Sequence, residues 1–456
     1  MDFEERMQKL SQHQAALSES PARQRLTRLV DAGSLVETDA FATGANAVTG
    51  YGLVNDRPVY LVAQDASSQG GAMSGEQARK MLKTLDLALK TGAPVVLLPD
   101  SKGAKVGEGA QVLASYAQVF AKLGELQGIC PVISLLAGEA TGVASHFAAL
   151  SDIAVAVKGA AVVSPFAPSV ISAVAGKALD AQAMGGAEAL AQKGAVALTA
   201  ANEDEGIALV RQLIDLLPSS CDEYAPLVEG DDLNRLLQIP PADAASLALN
   251  IADQGSAIEL YGAWRQTSRV WLARVGGYSV GLVSCSPEID GGRLDAYACD
   301  KIARFVSFCD AYNLPVITLV DSEGLAVPTV EGQSWLMTAS SRMLSCYAAA
   351  TTAKLAVITG NAVGAAYVAF AGQAIADLTF AWPGAYIAPL TRQASVQTFD
   401  AAQLQSEDRA SLEAKAAQQA DAFGAAEAGL VDNVIDPAQT RKHLIAALEL
   451  LATKQA

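Results

Sequence analysis

Residues 137–150 read AGEATGVASHFAAL and residues 359–372 read TGNAVGAAYVAFAG. Each holds Gly, three residues, Gly, one residue, Ala: Gly138, Gly142 and Ala144 in one, Gly360, Gly364 and Ala366 in the other. Both clusters follow an apolar run (VISLL, LAVIT) of a kind that suits a strand buried on both faces, and both lead into an Ala-rich, helix-forming stretch. A strand-to-helix junction lined with small residues, present twice, predicts a duplicated α/β fold.

The surrounding chain carries the same repeat. DAGSLVE from Asp31 matches DQGSAIE from Asp253, and APVVLLPDSKG matches LPVITLVDSEG with Asp100 against Asp321. SDIAVAVKGAAVVSP parallels ADLTFAWPGAYIAP, with Asp152 against Asp377. The matches keep their order at a nearly constant offset of about 222 residues, far too long for a solenoid repeat, so they describe two tandem domains. A stretch rich in Pro, Ser, Asp and Gly between Pro218 and Ala242 divides them, and the expected domains are 1–235 and 236–456. Within each half, two β-rich segments (VTGYGLV and PVYLVAQD; RVWLARV and YSVGLVSC) precede a helix, a strand ending in Asp-Ser-x-Gly, a second helix and the cluster.

Bulk composition narrows the function. With 51% hydrophobic and 18% charged residues the chain is globular, and a net charge of −16 argues against a basic nucleic-acid face. Six cysteines without a CxxC pair read as reduced, mostly buried thiols, and three scattered histidines give no zinc spacing, so no metal is expected. The charged start MDFEERMQKL does not read as a signal peptide. Val357 to Ala376 lacks charge, but its three glycines and Asn361 suit a buried strand, turn and helix better than a membrane span.

The small residues have two readings. They let a helix approach its sheet closely, or they expose the unpaired N–H groups of a first helical turn to a developing oxyanion. Removing one such donor typically costs about 3–4 kcal/mol of transition-state stabilisation. Duplication at the same junction favours the second reading.

SPARQRLTRLVDAGSLVE, the stretch from GGAMSGEQARKMLKTL to APVVLLPDSKGAKVGEG, DAYACDKIARFVSFCDAYNLPVITLVDSEG and YVAFAGQAIADLTFAWPGAYIAP run in family order across nearly the whole chain. Together they resemble the carboxyltransferase subunits of biotin-dependent acyl-CoA carboxylases, transcarboxylases and sodium-pumping decarboxylases. The resemblance implies two crotonase-like domains, an acyl-CoA on the N-terminal one and biotin on the C-terminal one, and a homo-oligomer from dimer to hexamer. It implies a catalytic N–H pair at Gly142 and Val143 for the thioester enolate and a second at Ala365 and Ala366 for the biotin ureido oxygen, flanked by Gly138 and Gly364. Biotin would arrive on a separate carrier protein, since no Met-Lys-Met segment is present. Coenzyme A enters as part of the substrate, with propionyl-CoA and methylmalonyl-CoA the default pair, in a cytoplasmic protein that a membrane decarboxylase β-subunit could join.

This chain departs from the family pattern at several points. Val143 replaces a Gly; a valine there cannot take φ > 0 and its branched side chain is expected to narrow the approach. Lys102 and Lys105 stand where Gly and Arg are usual, and Gly194-Ala195-Val196-Ala197 lacks a customary His. Candidate cations for the CoA phosphates are Arg23, Arg25, Lys80, Lys102 and Lys105. Asp100 and Asp321 are read as caps of the following turns, and His146 as a packing residue. Two rival readings stay open: a weakly active subunit that scaffolds a paralogue, and a biotin-independent malonyl-thioester decarboxylase.

Overall fold

The computed structural model describes residues 3–18, 20–228, 230–399, 404 and 407–454, and divides into two compact units, Met1–Tyr224 and Ala225–Ala456. The first unit is built on strands β1 (Val36–Thr38), β2 (Ala47–Val54), β3 (Arg57–Gln64), β4 (Val95–Leu98), β5 (Val132–Leu136), β6 (Glu139–Thr141), β7 (Ile153–Val157), β8 (Val162–Ser164) and β9 (Leu198–Ala200). Its main sheet has the order β1-β2-β3-β4-β5-β7-β9, and β6 and β8 form a separate parallel pair. β1, β2 and β3 are antiparallel, the last two joined by a tight turn at Asn55-Asp56, whereas each later pairing is parallel. Parallel neighbours need a long crossover, and helices Gly75–Thr91 and Gln111–Leu126 supply two of them.

The second unit repeats this plan with β10 (Ile258–Leu260), β11 (Ser268–Val275), β12 (Tyr278–Cys285), β13 (Val316–Ser322), β14 (Lys354–Val363), β15 (Leu378–Ala381), β16 (Tyr386–Ala388) and β17 (Asn433–Val434). The sheet order is β10-β11-β12-β13-β14-β15-β17. β14 runs on without a break where the first unit splits its strand into β5 and β6. Its last residues, Asn361 to Val363, pair with β16 in the register that Glu139 to Thr141 keep with β8. The strand through the Gly-Asn pair is therefore longer than the sequence suggests. The Ala-rich stretch after it closes as a single π turn, Tyr367–Ala371, and Gly372 then leaves the helical region at φ −63°, ψ 137°.

Hydrophobicity explains the layering. All four residues of β4 and all five of β5 are buried, so these strands must be covered on both faces. Met81, Leu85, Tyr116, Val119 and Leu123 from the two crossover helices pack against Val62, Leu97 and Val132. In the second unit Trp271, Leu282, Ile317, Leu355 and Val357 meet Ile251 from helix Ala244–Ile251 and Leu444 and Leu448 from helix Thr440–Leu451. Each such fully buried side chain contributes about 1.5–3 kcal/mol. The linker is tied to the second unit: Asp231 accepts from Arg235 at 2.8 Å and from the buried Arg441 at 3.3 Å.

All six cysteines are free; Cys130, Cys285, Cys299 and Cys309 are buried, and burial pushes the first three thiols up to about 12. Among the described residues no helix is long and apolar enough to cross a membrane, and no cluster of three or more potential metal ligands occurs.

Candidate functional site

Each small residue of the cluster has its own task, and the two units assign the tasks alike. The first glycine makes room for a carboxylate: a Cβ on Gly138 would overlap the Asp100 carboxylate, and one on Gly360 would overlap that of Asp321. The second glycine takes the left-handed backbone, with φ +64° at Gly142 and +53° at Gly364, turning the chain from strand into helical turn. The third small residue, Ala144 or Ala366, is buried at 0% and 1% exposure and fills the layer beneath. Between them Gly142, Val143, Gly364 and Ala365 remain partly exposed. A first turn of helix has no preceding carbonyls to accept its N–H groups, so each junction offers backbone donors. Gly364 itself is committed, donating its N–H to Ala388 O at 2.9 Å, which leaves Ala365 and Ala366 as the donors of that turn.

Asp100 and Asp321 do not cap turns, as the sequence had suggested; they lie under the first glycine. Asp321 accepts from the Asn361 N–H at 2.8 Å and from Asn361 Nδ2 at 3.1 Å, and burial raises its pKa above the ordinary carboxylate range. Asp100 has no such amide: Glu139 occupies the matching position, and Arg25 donates to Asp100 instead, at 2.8 Å. The Asp-Ser-x-Gly segments complete each turn. Ser101 brackets the cluster strand, donating its N–H to Glu139 O at 2.6 Å and accepting from the Thr141 N–H at 3.0 Å. Gly103 and Gly324 take φ +113° and +95°, and Gly324 lies close against the Val363 carbonyl.

Val143 is absent from the residues at positive φ, as a valine should be, because Gly142 carries the turn; its partly exposed side chain packs against the core cluster that contains Ala144 and Phe147. His146 is exposed, its Nδ1 3.1 Å from the Val143 carbonyl and its ring tilted against Phe120.

The proposed cations divide into two groups. Arg23 and Lys80 converge on the buried Glu37, and Lys80, 2% exposed, also donates to Ala47 O at 2.9 Å. Burial pushes the Lys80 ammonium down to about 8. Its counterpart Lys301, unremarked in the sequence, is 0% exposed and donates to the carbonyls of Tyr261, Trp264 and Ser268, with its pKa pushed down to about 7 by burial. Ala47 and Ser268 are the first residues of β2 and β11, so the two lysines brace equivalent hairpins, one in each unit, from within. Lys80 is therefore a structural lysine, a correction to its reading as a phosphate ligand. Arg25 is likewise turned inward, bound to Asp100 and Glu203. Lys102 is exposed and has no ion-pair partner among the described residues, and Lys105 is 3.4 Å from Glu108. These two lie in the loop from Asp100 that runs beside the Gly142 turn.

The sequence missed Arg25 and Asn361 as working parts of the junctions and Lys301 as a brace of the second unit's hairpin. The repeat itself carried a signal for the carboxylates: Asp100 and Gly138 recur together as Asp321 and Gly360, as residues in contact must.

Comparison with known proteins gives the family and the fold. Residues 14–456 match the carboxyl transferase domain family. The alpha subunit of methylmalonyl-CoA decarboxylase from Veillonella parvula is 36% identical, over 98% of this chain and 93% of that subunit. The propionyl-CoA carboxylase beta chain of Saccharopolyspora erythraea is 33% identical, over 97% of this chain and 89% of its own length. Among solved structures, transcarboxylase 12S, described as a hexamer with methylmalonyl-coenzyme A and methylmalonic acid bound, superimposes with a TM-score of 0.93 at 30% identity, covering 100% of this chain and 97% of its own.

Proposed function

The chain belongs to the carboxyl transferase domain family, as a carboxyltransferase of two crotonase-like domains, and from that membership we propose how its two junctions divide the work. It moves a carboxyl group between biotin and a short-chain acyl-CoA of the propionyl-CoA and methylmalonyl-CoA type. The acyl-CoA lies on the first unit, where the N–H groups of Gly142 and Val143 hold the thioester oxygen as it takes on enolate charge. Ala365 and Ala366 of the second unit hold the ureido oxygen of biotin. The donor set fits that group: backbone N–H on a methyl-lined turn suits an uncharged carbonyl-type oxygen, and Ala365 is partly exposed. Bound biotin supplies the site that carries the carboxyl group, chemistry that no side chain at either turn offers.

What this chain does is orient and stabilise. Donors fixed before reaction lose no free energy to reorganisation when charge appears, and each contributes roughly 3–4 kcal/mol in comparable sites. Lys102 and Lys105, beside the Gly142 turn, meet the phosphates of coenzyme A. The biotin comes on a separate carrier protein. The chain works in the cytoplasm as a homo-oligomer, and in the decarboxylating direction it joins a membrane partner.

The observation that carries this reading is the recurrence of one turn, a positive-φ glycine between a buried strand and a short helical turn, at Gly142 and Gly364. The test is carboxyl exchange by the purified protein, with biotin and biotin carrier, across a panel of malonyl-, methylmalonyl-, acetyl- and propionyl-CoA. Absence of exchange with every member would sink it. Activity on malonyl-CoA with no biotin present would replace it with thioester decarboxylation.

A further inference from the structure

The two junctions hold their partly buried carboxylates by different means, and the difference falls on one residue. Arg25 lies on helix Pro21–Leu29, which precedes DAGSLVE as helix Ala244–Ile251 precedes DQGSAIE. At the repeat offset its counterpart is Leu247. In the second unit Leu247 and Asp321 both line a cavity of about 300 Å³, and Asp321 depends on Asn361 for its hydrogen bonds. In the first unit a guanidinium stands against the equivalent carboxylate. Its Nη1 donates to Asp100 at 2.8 Å, its Nη2 to the Ala137 carbonyl at 3.3 Å and its Nε to Glu203 at 2.9 Å. Ala137 is the residue before Gly138, so Arg25 holds both the peptide entering the cluster and the carboxylate packed under its first glycine.

We propose that Arg25 is a positioning residue for the acyl side of the reaction: it locks the Ala137–Gly138 step against Asp100 and so sets the direction of the Gly142 and Val143 N–H groups. The planar fork of arginine suits this role, because its two Nη groups meet the Asp100 carboxylate and the Ala137 carbonyl, on two different segments, in one plane. With the side chain 19% exposed, the contacts are only weakly screened. From the Ala137 carbonyl the constraint passes along a short, fully bonded path. Gly138 O accepts from Val162 N–H at 3.1 Å, Glu139 O from Ser101, and the Thr141 N–H returns to Ser101 O, ending one residue before Gly142. A loosened start to this path misaims the donors, and a misplacement of up to about 1 Å costs roughly 10- to 100-fold in rate. The inference rests on the assignment of Gly142 and Val143 as the acyl-side pair.

The test compares Arg25→Met, Asp100→Asn and Glu203→Gln in the full-length protein by amide hydrogen exchange and steady-state carboxyl transfer. Arg25→Met and Asp100→Asn should speed exchange in peptides spanning 138–146 and leave those spanning 360–368 unchanged. Both should lower kcat roughly 10- to 100-fold with the acyl-CoA KM within about threefold, the split expected when an interaction acts in the transition state. Glu203→Gln keeps the Asp100 and Ala137 arms and should keep kcat within about twofold. Wild-type exchange or kcat in both Arg25→Met and Asp100→Asn, or an equal kcat loss in Glu203→Gln, overturns the proposal. Should Arg25→Met fail to fold, Asp100→Asn, which preserves shape, decides the question alone. A wild-type protein that transfers carboxyl to no acyl-CoA defeats the functional reading instead, and the exchange data still decide whether Arg25 orders the turn.

Discussion

The Asp100 carboxylate lies directly beneath Gly138, in the volume that any side chain at that position would fill, and Asp321 lies beneath Gly360 in the same way. One contact, made twice, places a partly buried carboxylate at the foot of each donor turn. It makes the first glycine of each cluster a packing requirement rather than a conformational one, since neither Gly138 nor Gly360 has positive φ.

Gly138→Ala and Gly360→Ala should therefore both destabilise, by about 1–3 kcal/mol, the usual cost of overfilling a packed site. Chemical denaturation of the two variants measures it. The Gly360 variant also pushes against the Asn361 bonds to Asp321, so a loss at Gly138 with none at Gly360 would contradict the shared geometry.

Val143→Ala separates a core-packed valine from an obstructing one. Because the side chain packs on the core beside Ala144 and Phe147, truncation should cost stability, about 1 kcal/mol, and leave the acyl-CoA KM unchanged. A KM that falls several-fold in the variant would show that the valine narrows the site after all.

Lys102→Ala should raise the acyl-CoA KM about two- to fivefold without changing kcat, and the difference should shrink as ionic strength rises. The position is exposed and lacks an ion-pair partner among the described residues, so no ion pair is lost. Lys80→Met, by contrast, removes an ammonium bonded to Ala47 O and Glu37 and should register in thermal stability. Equal KM effects from the two variants would refute the division between surface and structural lysines.

Lys301 gives a pH dependence with a defined sign. Burial lowers its pKa to about 7 from the ordinary 10.5, so between those values the unfolded chain binds the proton that the folded chain has released. Stability then rises with pH across this window, and the cost of the buried charge is fully present below about pH 7. Lys301→Met should flatten the rise between about pH 7 and pH 10 in denaturation series run against the wild type. An unaltered slope would mean that the three carbonyls keep the ammonium charged throughout.

The repeat made the architecture legible before any coordinates. Strand, Asp-Ser-x-Gly, helix and cluster recur in one order, and buried apolar runs such as VVLL and VISLL have no stable home except a sheet covered on both faces. The helix that follows the two β-rich segments of the first half spans Gly75–Thr91, starting at a Ser74 cap and stopping at Gly92 in the left-handed conformation. Local signals of that kind act within a few residues, which is why a sequence carries them.

The sequence by itself thus determined a duplicated α/β chain, the location of its two small-residue junctions and the family they belong to. Which charges face inward was decided only by tertiary structure. Arg23, Lys80 and Lys102 are alike as letters, yet Glu37 draws in the first two while Lys102 stays in solvent. Arg25 and Asp100 are 75 residues apart, and their pairing depends on a helix and a strand end that meet only after folding. A charge buries when distant segments bring it a partner that offsets its lost hydration, and no short-range pattern encodes that partner. The packing of Val143 has the same origin: Gly142 absorbs the positive φ, and the side chain packs against the core behind the turn.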